Sequence, residues 1–122
     1  MSSQVFIITA AIFGMLAIAF GAFGAHLLQK KLTENQLKSF ETGVKYQIYH
    51  AIVLLVLCLN FPNPTIGLYL CFTFGIILFS FSIYGLVLSD AFTNKIKFLG
   101  PITPIGGLLL LTGWLLILIN IL

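Results

Sequence analysis

Two histidines, a glutamine and a glutamate are the side chains of this sequence best suited to chemistry. His26 closes the run GAFGAH at 21–26, while Glu41, Gln47 and His50 lie along FETGVKYQIYHAI at 40–52. Histidine titrates nearest to physiological pH, and ionisable groups inside membranes often mark proton or ion pathways. Two imidazoles can also hold a haem iron axially, although zinc would ask for four ligands with thiolates or carboxylates among them. The remaining reading is structural: each neutral ring donates to a carbonyl or side-chain oxygen and fixes the register of neighbouring helices. Other reactive types are few. Cys58 and Cys71 have no CxxC pairing and read as small buried hydrophobes, with no geometric support for a disulfide. Glu34, Glu41 and Asp90 make no acidic dyad, and neither a nucleophile–base pair nor a phosphate loop is present, so no enzyme, metal or cofactor is expected.

The elements that must position these groups follow from composition. Of 122 residues, 60% are hydrophobic and only 7% charged, and the mean hydropathy is +1.13. A water-soluble domain carries about 25% charged residues, so this chain has too little polar surface to cover a globule in water. Spans of about 20 apolar residues are needed to cross a bilayer. Four uncharged runs meet or approach that length: Val5–Leu28, Tyr46–Phe61, Ile66–Leu88 and Ile102–Leu122. None shows the two-residue alternation of a membrane-spanning strand. The expectation is an all-α, integral membrane four-helix bundle in one domain, each helix satisfying its own backbone in lipid.

All six lysines fall in the first and third connections, Lys30, Lys31, Lys38 and Lys45 in one and Lys95 and Lys97 in the other. The positive-inside bias places both connections in the cytoplasm and both chain ends outside. The net charge of +3 is thus a topology signal; the lysines could also touch anionic headgroups, but interfacial anchoring is the favoured role, and nucleic acid is not an expected partner. Met1–Gln4 carries no lysine or arginine and the first apolar run exceeds a signal-peptide core, so this run reads as a retained span.

The first span carries a narrow stripe of small residues, Ala10, Gly14, Ala17, Gly21 and Gly24, which marks a close helix contact with another helix of the chain or with a second copy. In the first connection, Thr33 and Gln36 make a capping box and Leu32 and Leu37 a hydrophobic staple. An interfacial amphipathic helix over 34–45 is therefore expected between the first and second spans, with Leu37, Phe40 and Val44 on one face and Lys38, Glu41 and Lys45 on another. Gly43 lies at its changeover into the second span, as a bend in preference to a close approach.

Beyond it, Gly43, Gln47 and His50 share one face, flanked by Tyr46 and Tyr49 at headgroup level. Polar groups in lipid turn towards the bundle interior. An antiparallel hairpin would bring His26 to the same side of the membrane as His50, giving one polar cluster with Gln47 and Glu41. Asn63 and Pro64 suit the start of the third helix, and Thr103 and Pro104 the start of the fourth after a Gly100–Pro101 turn. Gly106 and Gly107 leave the first turn of that helix bare for a neighbour. Ser80 and Tyr84 stand one turn apart, free to bond across helices or back to their own. Trp114, mid-span, needs a partner for its indole N–H inside the bundle.

The stretches GAFGAHLL (21–28), FETGVKYQIYHAIVLL (40–55), FSFSIYGL (79–86) and GPITPIGGLLLLTGW (100–114) together resemble the bacterial membrane family known as domain of unknown function 423, to which the eukaryotic transmembrane protein 256 is similar. The resemblance covers nearly the whole chain in order. It implies a small four-span protein of the bacterial inner membrane, and it carries no activity, cofactor or catalytic role onto His26, Gln47, His50 or Thr103. Two readings of function follow from the residues. One is an accessory or scaffold subunit whose partners are the bilayer and a larger membrane assembly or a second copy. The other is a minimal conduit or carrier for protons, small ions or lipid built on the His/Gln cluster.

Overall fold

The computed structural model of the chain describes residues 2–61 and 65–122. Four helices, α1 (Ser3–Leu28), α2 (Glu34–Asn60), α3 (Ile66–Phe92) and α4 (Leu99–Ile121), are each long and apolar enough to cross a membrane. Their ends are set locally. Ser2 accepts from the Gln4 amide at the start of α1, and Thr65 accepts from Leu68 at the start of α3; the expected Asn63–Pro64 start lies outside the described residues. Before α2 the capping box forms in both directions. The Gln36 amide N–H donates to Thr33 Oγ1 at 3.1 Å, and the Thr33 amide donates to Gln36 Oε1 at 2.9 Å.

Two sequence-based boundaries shift, and with them the role of Gly43. The amphipathic stretch 34–45 and the second span form one unbroken helix, α2. Gly43 is accordingly a point of close approach and not a bend: a Cβ there would lie 2.8 Å from Cε1 of Tyr84. At the other end of the chain, α4 begins at Leu99 and runs through both Pro101 and Pro104. Pro101 falls in the first turn, whose N–H groups have no intrahelical acceptor in any helix, and Pro104 removes only one bond near the end. Thr103 is therefore inside the helix and does not cap it.

The pairing of helices is read from residue size. α1 packs on α2 and α3 on α4, both through small residues. A Cβ on Gly24 would lie 2.9 Å from the Phe40 ring, and one on Gly21 3.4 Å from Val44, so the lower part of the small-residue stripe receives α2 of the same chain. Ala10 and Ala17 are buried on the same face, whereas Gly14 has open space around it. Between α3 and α4 the approach is tighter. A Cβ on Gly106 would lie 2.2 Å from the Phe79 backbone nitrogen, where α3 widens into a π-helical turn over Ile77–Phe81. Gly113 and Gly75 likewise receive Phe72 and Leu110. α1 and α3, by contrast, are held apart by aromatic pairs with centroids 4.9–6.3 Å apart, Phe6–Tyr69, Phe13–Phe81, Phe20–Phe81 and Phe20–Tyr84.

The interior has two apolar clusters. One gathers Phe6, Phe13, Leu54, Phe72 and Leu110. The other gathers Leu28, Phe40, Ile83 and Val87 at the end of the bundle that carries the lysines. Outward faces bear Ile8, Met15, Ile18, Leu108, Leu111 and Leu118, all exposed. Hydrocarbon is the only solvent that suits such a surface.

Candidate functional site

Between the two apolar clusters lies a polar layer built mainly on the inward face of α2. Gly43, Gln47 and His50 are all buried there, and Gln47 and Ser80 are fully so. The Gln47 amide spans two helices. Its Nε2 donates to the Phe13 carbonyl of α1 at 2.8 Å, and its Oε1 accepts from the Tyr84 hydroxyl of α3 at 2.6 Å. One turn earlier, the Gly43 carbonyl accepts from Ser80 Oγ at 2.7 Å. The absence of a side chain at Gly43 is what lets α3 come near enough for that bond.

One turn deeper, His50 reaches α4. The Trp114 indole N–H donates to His50 Nε2 at 3.1 Å, and His50 Nδ1 lies 2.7 Å from the Tyr46 carbonyl. An indole nitrogen only donates, and a carbonyl only accepts. The network therefore assigns the neutral tautomer, with the proton on Nδ1 and the Nε2 lone pair facing Trp114. The ring stacks on Phe72 at 5.8 Å and meets Trp114 edge-on at 6.0 Å. Both nitrogens are occupied, so this imidazole holds no lone pair for a metal in this arrangement. Among the described residues, no three His, Cys, Asp or Glu side chains stand together as a metal site.

The polar face of α2 thus binds every other helix: α1 at Phe13, α3 at Ser80 and Tyr84, and α4 at Trp114. Thr9–Tyr69 at 2.7 Å between α1 and α3 and Gln36–Asp90 at 3.0 Å between α2 and α3 also join the two pairs, and Ser82–Thr103 at 2.6 Å holds α3 to α4. Among the described residues, Thr73 Oγ1 is the only buried side-chain polar atom left without a partner.

The structure separates the four residues expected to cluster. His26 is exposed in the π-helical last turn of α1, and Glu41 is exposed beside a shallow crevice lined by Gly21, Gly24 and Lys45. Gln47 meets α1 at Phe13, which lies about 20 Å by helical rise from His26. Helical rise therefore gives the two histidines different depths. Tyr84 and Trp114 take the places expected of His26 and Glu41. Their signals were in the sequence, since a mid-span indole or phenol needs a bonding partner, but the partner depends on helix order and rotation. Cys58 and Cys71 are free thiols, with Cys58 Sγ turned to the Leu55 carbonyl of its own helix.

Four lipid-compatible helices joined by short connections and sealed by a central polar layer define a small multi-pass membrane protein. The family described as "Protein of unknown function (DUF423)" matches residues 20–107, and the chain belongs to it. A UPF0382 membrane protein of Staphylococcus aureus (strain bovine RF122 / ET3-1) is 42% identical over 120 residues, covering 95% of this chain and 93% of that protein. The UPF0382 membrane protein YwdK of Bacillus subtilis (strain 168) is 39% identical over 122 residues, covering 95% and 94%. No solved structure matches.

Proposed function

We propose that this protein is a non-catalytic accessory or scaffold subunit that packs against a larger assembly in the bacterial inner membrane, with its lysine-bearing connections in the cytoplasm and both ends outside. The observation that carries this reading is that, among the described residues, every buried side-chain polar atom except Thr73 Oγ1 is hydrogen-bonded. A conduit needs polar groups free to pass a solute along, and an enzyme needs reactive groups free to meet a substrate. Here Gln47, His50, Ser80 and Tyr84 are committed to one another or to backbone carbonyls. What the molecule offers outward is a bundle braced by glycine contacts and hydrogen bonds, with exposed apolar faces on α1 and α4.

Crosslinking in intact cells followed by purification in mild detergent tests it. A specific membrane partner retained with the protein is the expected result; recovery as a lone species in every detergent would count against the role. The carrier reading keeps one favouring observation, the link from buried His50 to Trp114, which is half exposed at 50%. Liposome flux assays on wild type and His50→Ala address it, and equal fluxes would remove its basis.

A further inference from the structure

At the lysine-bearing end a crevice of about 730 Å³ opens between α2, α3 and α4. It exists because α2 packs on α1 and α3 while α4 packs on α3, leaving a gap between α2 and α4. Its walls differ in chemistry. Asn35, Ser39 and Thr42 line the α2 side at successive turns, so an uncharged polar stripe of that helix, beside the charged face of Lys38, Glu41 and Lys45, turns into the crevice. The α3 side supplies Leu86 and Val87 as an apolar floor, and Lys95 and Lys97 stand on the third side.

One turn deeper, Tyr46 stacks on Phe79 at 5.0 Å, and Phe79 in turn fills the space beside Gly106 and Gly107. The crevice lies at the level of the exposed Glu41 and Lys45 of α2, which is interfacial depth. Asp90 also lines it, with Oδ2 accepting from Gln36 Nε2 at 3.0 Å. Two ammonium groups against this one carboxylate leave the crevice positive.

We propose that this crevice holds one anionic phospholipid of the leaflet at the lysine-bearing end, its phosphate at Lys95 and Lys97 and its glycerol and upper acyl chain over Leu86 and Val87. A soluble anion would leave the apolar floor wet, and a zwitterionic lipid brings no net charge to match the lysines. The polar α2 wall suits the ester and hydroxyl oxygens of the glycerol region. The stacked Tyr46 and Phe79 rings one turn deeper suit a ligand that enters sideways from the bilayer.

The test is native mass spectrometry of the full chain taken from vesicles of equal parts phosphatidylglycerol and phosphatidylcholine. Wild type is expected to retain one phospholipid, with phosphatidylglycerol favoured about tenfold. The pair K95Q/K97Q should bring that preference to near parity, whereas K30Q/K38Q, which removes the same charge outside the crevice, should leave it intact. Ser39→Trp, on an exposed position lining the crevice, should lower retention of both lipids, with circular dichroism showing a helical fold. Parity in the wild type, or equal losses in the two lysine pairs, would overturn the proposal. So would displacement of the lipid by free glycerol phosphate, or a lipid-free second copy in its place.

Discussion

Trp114 donates its indole proton to His50 Nε2 across 3.1 Å, joining α4 to α2 by a bond that only one histidine tautomer can accept. Trp114 is the sole tryptophan, so the tryptophan emission of the protein comes from this side chain. Acidification that places a proton on Nε2 sets donor against donor and breaks the bond. Tryptophan emission of the wild type should therefore change on acid titration, and His50→Phe should give a flat profile over the same range. An unchanged titration in that variant would show that Trp114 senses some other group.

Gln47 and Tyr84 form the second interhelical tie. Tyr84→Phe should cost about 0.6–1.7 kcal/mol, the range for one such bond in a membrane protein. Gln47→Leu should cost more, because it also frees the Phe13 carbonyl contact. A double-mutant cycle by detergent unfolding should return a coupling of about 1 kcal/mol between the two sites; additive effects would mean the bond contributes nothing.

Two glycines give opposite expectations. Gly106→Ala drives a methyl into the backbone of Phe79, which side-chain rotation cannot relieve. Its cost should reach about 3 kcal/mol or more, the upper end for overpacking. Gly14→Ala meets open space and gains helix propensity, so it should be neutral or stabilising by up to about 1 kcal/mol. Thermal unfolding in one detergent compares them directly.

The orientation has its own check. With Cys58 and Cys71 replaced by serine, a cysteine at Lys97 should react with a membrane-impermeant maleimide only after the cytoplasmic side is opened, and one at Ser3 should react in intact spheroplasts. Labelling of both from one side would contradict the three crossings that separate them.

Features encoded by a few adjacent residues were the most legible. The Thr33–Gln36 capping box and the four apolar runs need no tertiary information, because cap geometry and bilayer thickness are local constraints. The shared face of Gly43, Gln47 and His50 was likewise legible from helical periodicity alone. What periodicity could not supply was rotation and depth between helices. It matched His26 to His50 by side of the membrane, although helical rise sets them far apart, and it favoured anchoring over headgroup contact for the lysines because the crevice beside Lys95 and Lys97 needs three helices to exist. Pro104 misled for a different reason: a proline near the beginning of a helix removes so little bonding that its position does not fix where the helix begins.

The polar face of α2 has a consequence for how the chain is made. Ribosomes deliver α1 and α2 first, so the Gln47 amide can find the Phe13 carbonyl as soon as that hairpin exists. The donor for His50 is encoded 64 residues further on and leaves the exit tunnel after the first three helices. Until then the imidazole lone pair has no mate in hydrocarbon, which favours holding the nascent hairpin beside the insertion machinery. Truncation before α4 should therefore leave a species recognised by membrane quality-control proteases, even though three of its four spans are present.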